Sequence, residues 1–300
     1  MSHATTATAH AALPLETRVA RFPAKQVAVA PQHIVSYREA DSAHSVALPL
    51  VLLHGIGSGA ASWVQQFEAL GATRRVLAWD APGYGESTPV AAASPVASDY
   101  ASVLKAWLDA LGVARCVLVG HSLGAIVAGA FAAANPARVA GLLLVSPAGG
   151  YGAAEPDVRT SKRDARLAML AGLGPAGLAE TRSANMLSPH ADEAARDWVR
   201  WNMSRIVPHG YAQATHLLAN ADLAADLTTF TGRVAVAVGA EDGITLPTAC
   251  ARLARIARAS FQTVPRAGHA GYIEAPTAYN TILDTFCRAS DASAGNRSFE

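Results

Sequence analysis

Gly120-His121-Ser122-Leu123-Gly124 lies between the apolar run Cys116-Val117-Leu118-Val119 and the small-residue segment Gly124 to Ala134. A G-x-S-x-G pentapeptide has mechanical meaning where a strand turns sharply into a helix. The serine hydroxyl is then exposed on the turn, and side chains at the flanking glycines would clash. The following helix directs free N–H groups and its positive end toward a reacting carbonyl. These residues suit nucleophilic attack on an acyl carbon, with Ser122 as nucleophile and the Leu123 N–H as one donor to the oxyanion.

A serine hydroxyl attacks well only when a base takes its proton. Of the ten histidines, His269 combines a loop after the strand-like Ser260 to Val264 with a place late in the chain, before the last helix. His3, His10, His33 and His44 are near the N-terminus, and His190, His209 and His216 fall in a helical block. His54 and His121 sit beside glycines, where a structural hydrogen bond is the better role. The imidazole needs a carboxylate to hold its tautomer. Asp242 ends the strand-like Val234 to Gly239, with Glu241 in the same loop as the alternative. The second oxyanion donor is expected from His54-Gly55-Ile56-Gly57, where the Ile56 N–H is placed beside Leu123. That loop has neither G-x-G-x-x-G spacing nor the Lys-Ser/Thr of a phosphate loop. The chemistry calls for no metal or organic cofactor.

These residues need a scaffold, and the apolar runs supply one. Ala47 to Leu53, Arg75 to Trp79, Cys116 to Val119, Gly141 to Val145 and Arg233 to Val238 are unbroken rather than alternating, as expected of strands covered on both faces. Gln26 to Ala30 and His33 to Glu39 read as two further strands. Helical segments lie between the runs: Asp99 to Leu111, Gly124 to Ala134, Pro247 to Ala257 and Pro276 to Phe286. The alternation predicts an α/β chain with a doubly wound, mostly parallel sheet. It breaks from 149 to 229, where helices are expected over 161–172, 175–187, 192–206 and 210–220, as an inserted lid. The division expected is a loose tail at 1–25, a core at 26–148 and 230–290, the lid at 149–229, and a tail at 291–300.

Composition narrows the partners. With 24 Lys+Arg against 23 Asp+Glu the formal net charge is +1, which gives no reason to expect nucleic acid or an anionic membrane. The chain is 51% hydrophobic with a mean hydropathy of +0.20, enough to bury a large core. No run approaches the roughly 20 apolar residues of a membrane span. The N-terminus lacks a secretory pattern. Cys116, Cys250 and Cys287 have no metal-type spacing, and an odd count fits a reducing compartment. A cytoplasmic protein acting on a small molecule is expected, as a monomer or a homo-oligomer.

H-G-I-G at 54–57, W-D-A-P-G-Y-G-E-S at 79–87, G-H-S-L-G at 120–124, G-A-E-D at 239–242 and A-G-H at 267–269 together resemble the α/β-hydrolase fold superfamily. The likeness implies that fold, a Ser–Asp–His triad in that chain order, and a structural rather than catalytic Asp80. The loop H-G-I-G-S-G-A-A-S-W is similar to that of the meta-cleavage-product hydrolases, which split C–C bonds in ring-fission dienones. Those enzymes have Asn before the serine and Trp after the histidine; His121 and Ala270 stand there here. This favours an ester or lactone of a small to medium, largely apolar substrate. C–C hydrolysis and a non-catalytic binding protein on the same fold are the alternatives. In the lid, Leu167, Met169, Leu170, Leu173, Met186, Leu187, Trp198, Trp201, Met203, Tyr211, Leu217 and Leu218 supply apolar surface. Arg159, Arg163, Arg182, Arg196, Arg200 and Arg205 are candidate clamps for a carboxylate.

Overall fold

The computed structural model describes residues 13–41 and 45–295, with side chains to residue 293. His3, His10 and His44, and residues 1–12 and 296–300 of the expected tails, lie outside the described residues. The strands are β1 (Lys25–Ala30), β2 (His33–Ala40), β3 (Leu50–Leu53), β4 (Val76–Trp79), β5 (Cys116–His121), β6 (Val139–Val145), β7 (Val234–Gly239) and β8 (Ser260–Val264). They form one sheet in the order β1-β2-β4-β3-β5-β6-β7-β8. β1 and β2 pair antiparallel, as do β2 and β4, and every other pairing is parallel. β3 is shorter than its apolar run because Pro49 has no amide to donate to a ladder.

The helices are α1 (Leu15–Val19), α2 (Val64–Leu70), α3 (Ala97–Ala110), α4 (Leu123–Ala134), α5 (Pro156–Arg182), α6 (Glu193–Ser204), α7 (Pro208–Asn220), α8 (Leu223–Thr229), α9 (Pro247–Ile256), α10 (Gly271–Glu274) and α11 (Pro276–Gly295). Successive strand residues point to opposite faces, so each apolar run feeds two cores. Val51 and Leu53 face Leu104, Trp107 and Phe131 of α3 and α4, whereas Leu50 and Leu52 face Phe67 of α2 and Tyr279 and Leu283 of α11. Coverage on both sides is why these strands carry no polar alternation.

Between β6 and β7 the chain makes a helical insertion of α5 to α8. α5 breaks at Gly174, whose φ of 62° and ψ of 179° end one helix before Pro175 starts the next. α8 is additional to the four helices expected in this stretch; Asp222 caps it by accepting from the Ala225 amide at 3.2 Å. The ends differ from expectation too. Within the stretch read as a loose tail, residues 15–19 are helical, with Leu15 and Val19 buried and Arg18 paired to Glu68. Five residues are too few to show a helical period. α11 runs on to Gly295 because its inner face keeps finding core, with Leu283, Phe286, Cys287 and Ser290 all buried. No helix among the described residues is long and apolar enough to cross a membrane.

Candidate active site

Ser122 stands between β5 and α4 with φ 52° and ψ −115°, a left-handed conformation that a side-chain-bearing residue adopts only at a cost. The neighbours enforce it. A Cβ at Gly120 would lie 2.4 Å from the Gly124 carbonyl oxygen, and one at Gly124 would lie 2.3 Å from that of Leu53. Only glycine lets α4 start this close to β3 and β5. The Ser122 amide donates to Val145 at 3.0 Å and its carbonyl accepts from Ala125 and Ala148, so the turn is pinned to β6. The Leu123 amide, at the first position of α4, has no intrahelical acceptor.

Asp242 and His269 meet. The Asp242 Oδ2 lies 2.9 Å from Nδ1 of His269, and both side chains are almost fully buried. The other carboxylate oxygen accepts from the amides of Ile244 and Thr245 at 2.8 and 2.9 Å. The Thr245 hydroxyl donates to Oδ2 at 2.8 Å and sits 3.1 Å from His269 Nδ1. Burial alone would raise the Asp242 pKa. The hydrogen bond and charge of His269, with the Thr245 donors, outweigh it and hold the carboxyl well below the usual range. An ionised Asp242 fixes the Nδ1–H tautomer and leaves Nε2 for a proton from elsewhere. Glu241, the alternative acid, points away and pairs at 3.2 Å with exposed His190.

The loop after β3 is equally constrained. His54 Nδ1 bonds the Gly55 carbonyl at 2.8 Å and Nε2 accepts from the Ala81 amide at 3.0 Å, which makes it a neutral structural imidazole. Burial lowers its pKa in agreement. Tyr84 donates its hydroxyl to the Ile56 carbonyl at 2.6 Å, anchoring the Ile56–Gly57 peptide, while the His54 bond to the Gly55 carbonyl holds the Gly55–Ile56 peptide that carries the expected oxyanion donor. Asp80 binds the Ala60 amide and the Ser36 hydroxyl, both at 2.8 Å, which is scaffolding. His121 is fully buried under the elbow, with Nε2 3.0 Å from the His269 carbonyl oxygen. Burial, then the nearness of His269, depresses its pKa to about 3.

Ile56, Ser122, Leu123 and His269 border one cavity of ≈ 760 Å³. Met169, Leu178, Met186, Met203, Leu218 and Leu253 line its apolar parts. Among the arginines of the helical insertion expected as clamps, only Arg182 borders it. Arg163 pairs with Asp164, Arg200 with Asp197, and Arg205 stacks 3.9 Å over Trp201. Arg166, which is not among the expected clamps, does border the cavity, with Lys162 and Arg252. No motif marks Thr245 as a site residue either, and the motif that includes Tyr84 does not point to its bond with Ile56. A polar residue in a glycine-rich loop was the sole available signal for Thr245. Among the described residues no cluster of three or more His, Cys, Asp or Glu side chains could hold a metal.

Comparison with known proteins agrees with this architecture. The pattern of a family described as the alpha/beta hydrolase family matches residues 50–282. A putative carbamate hydrolase, RutD of Variovorax paradoxus, is 31% identical over 257 residues, covering 80% of this chain and 92% of that protein. A shorter match, 42% identical over 113 residues, joins 36% of this chain to 39% of the 2-hydroxy-6-oxononadienedioate/2-hydroxy-6-oxononatrienedioate hydrolase 2 of Pseudomonas putida. The solved structure of a thermophilic esterase from Thermogutta terrifontis superposes with a TM-score of 0.78 at 24% identity, covering 90% of this chain and 99% of that one. With the sheet order, the strained serine turn and a match running from β3 into α11, the chain belongs to the alpha/beta hydrolase family.

Proposed function

We propose that this chain is a serine hydrolase that cleaves a carboxylic ester or lactone of a small to medium, largely apolar substrate through an acyl-enzyme. The observation that carries the reading is the Asp242–His269 bond at 2.9 Å, made at the border of the cavity that Ser122 also lines. Ser122 Oγ attacks the carbonyl carbon while His269 Nε2 takes its proton, and Asp242 stabilises the resulting imidazolium. The Ile56 and Leu123 amides hold the oxyanion. His269 returns the proton to the leaving oxygen, water repeats the sequence in reverse, and the acid departs. The helical insertion serves as a lid, contributing Met169, Met186, Met203 and Leu218 to the apolar wall.

A fluorophosphonate probe tests the mechanism. Wild type should be labelled at Ser122 and Ser122→Ala should not. Labelling that persists in the variant removes the nucleophile, and absence of labelling in wild type favours a binding protein. A panel of p-nitrophenyl esters, lactones, carbamates and ring-fission dienones then separates the chemistries. Turnover of dienones alone would replace ester hydrolysis with C–C hydrolysis. Carbamates are included because of the likeness to RutD.

A further inference from the structure

The cavity has a charge pattern that an apolar substrate does not explain. Four cationic side chains line it, Lys162, Arg166, Arg182 and Arg252, against one carboxylate, Asp222. Asp222 is engaged as the cap of α8. None of the four cations has an acidic partner within ion-pair distance among the described residues, although Arg163, next to Lys162, pairs with Asp164. Lys162 and Arg166 are one helical turn apart, with Ala165 and Met169 on the same face of α5, so this stripe of the helix is turned toward the cavity.

Arg166 is the most built of the four. It is half-buried, and its Nη1 donates to the Tyr211 hydroxyl at 3.2 Å. Tyr211 is itself buried and borders the same cavity. One of the five guanidinium donors is therefore used, and the Tyr211 hydroxyl, having accepted from Arg166, retains its own proton to give. Unspent guanidinium donors beside an O–H, in a cavity whose wall includes Met169, Leu178, Met186, Met203 and Leu218, match a carboxylate in shape and charge. The low-dielectric wall strengthens that match relative to water.

We propose that the cavity takes an acyl substrate bearing a carboxylate away from the scissile carbonyl, held by Arg166 together with Tyr211. Lys162, Arg182 and Arg252 make the approach electropositive. The substrate thus has an apolar body and an anionic end. This rests on the serine-hydrolase reading for the identity of the scissile group, but the anion site itself does not require turnover.

The test is calorimetric, on Ser122→Ala protein so that ligands persist. The probes are the monophenyl esters of glutaric, adipic and suberic acids, each beside its methyl-capped, uncharged counterpart. For at least one chain length the monoanion should bind about tenfold more tightly than its capped form. Adding Arg166→Gln should bring that ratio below about threefold, with Arg166→Lys intermediate. Should Arg166→Gln fail to fold, Tyr211→Phe carries the same test, and its ratio should also fall. Equal affinity of charged and capped forms at every length overturns the proposal, as does a ratio that survives Arg166→Gln. Inorganic phosphate competing better than glutarate would assign the site to a phosphate instead and overturn the carboxylate. Fluorophosphonate labelling of wild type reports separately on the hydrolase. Lost labelling with a retained charge preference removes the reaction and keeps the site, and the converse removes the site alone.

Discussion

Glu274 accepts both the backbone amide and the hydroxyl of Ser188 on one carboxylate oxygen, at 2.9 and 2.8 Å. Its other oxygen accepts the Gly268 amide, next to His269. Ser188 belongs to the helical insertion, and a second tie joins the same two segments where the Ala270 amide donates to Met186 at 2.7 Å. The loop that carries His269 is therefore sewn to the insertion on both sides of the imidazole. An amide at position 274 has one oxygen and one NH2 where the three donors need two acceptors, so one donor is left facing a hydrogen. Glu274→Gln should cost about 2 kcal/mol of stability, as lost charge-assisted bonds do. It should slow fluorophosphonate labelling about tenfold through misplacement of His269. Comparing the labelling rate with the urea midpoint checks this: a lower midpoint with an unchanged rate would make Glu274 merely structural.

Asp242 and Glu241 are adjacent in sequence but differ in what they hold. Asp242→Asn swaps one acceptor oxygen for a donor group where Ile244, Thr245 and His269 all donate, and it removes the charge that stabilises the imidazolium. Ester turnover should fall by about 10³ to 10⁴. Glu241→Gln breaks an exposed pair with His190, so turnover should stay within about twofold. Steady-state kinetics on the two variants decides, and a loss confined to Glu241→Gln would transfer the role.

How far this arrangement could be read in advance depends on how local its causes are. The serine turn is legible because its sterics lie within Gly120 to Gly124 and the strand before it. Parallel strands are legible because burial on both faces removes polar alternation from β3, β5 and β7. The choice between Asp242 and Glu241 is not, since it rests on the rotation of a loop pinned by the Glu241 amide to Ala267, far along the chain. Arg166 is hidden for a similar reason. Which stripe of α5 faces the cavity follows from the break at Gly174 and from packing on α7, not from the pattern of α5 itself. Tyr84 reaches Ile56 and Glu274 reaches Ser188 only through folding, so no spacing announces them.

The three thiols should be silent in the folded protein. Cys116, Cys250 and Cys287 are all buried, and burial lifts each pKa to about 12. Thiolate, the reactive form, is then scarce at neutral pH and sterically shielded. Ellman's reagent should find no fast thiol in native protein and all three after unfolding in guanidinium. A rapid native reaction at any of them would show that its surroundings open.

Acid should destabilise the fold through His121, and the sign can be worked out. Its folded pKa, about 3, lies far below the ordinary histidine value of 6.5. Between those values the unfolded chain binds a proton that the folded chain refuses. Stability contributed by neutral His121 is thus fully present above 6.5 and drains away as pH falls toward the folded value, by up to about 1.4 kcal/mol per pH unit. His54 is depressed in the same direction, again by burial. Asp226 acts oppositely: burial, then Asp222, raises it to about 6, so the folded state takes up a proton there and gains on acidification. Both contributions are common to wild type and a His121→Asn variant and cancel in their difference. Urea unfolding at about pH 6.5 and about pH 5 should show wild type losing about 2 kcal/mol more than His121→Asn. Parallel losses would mean that the imidazole beneath the serine turn accepts a proton while folded, against its burial beside His269 and its enclosure by Trp63 and Tyr272.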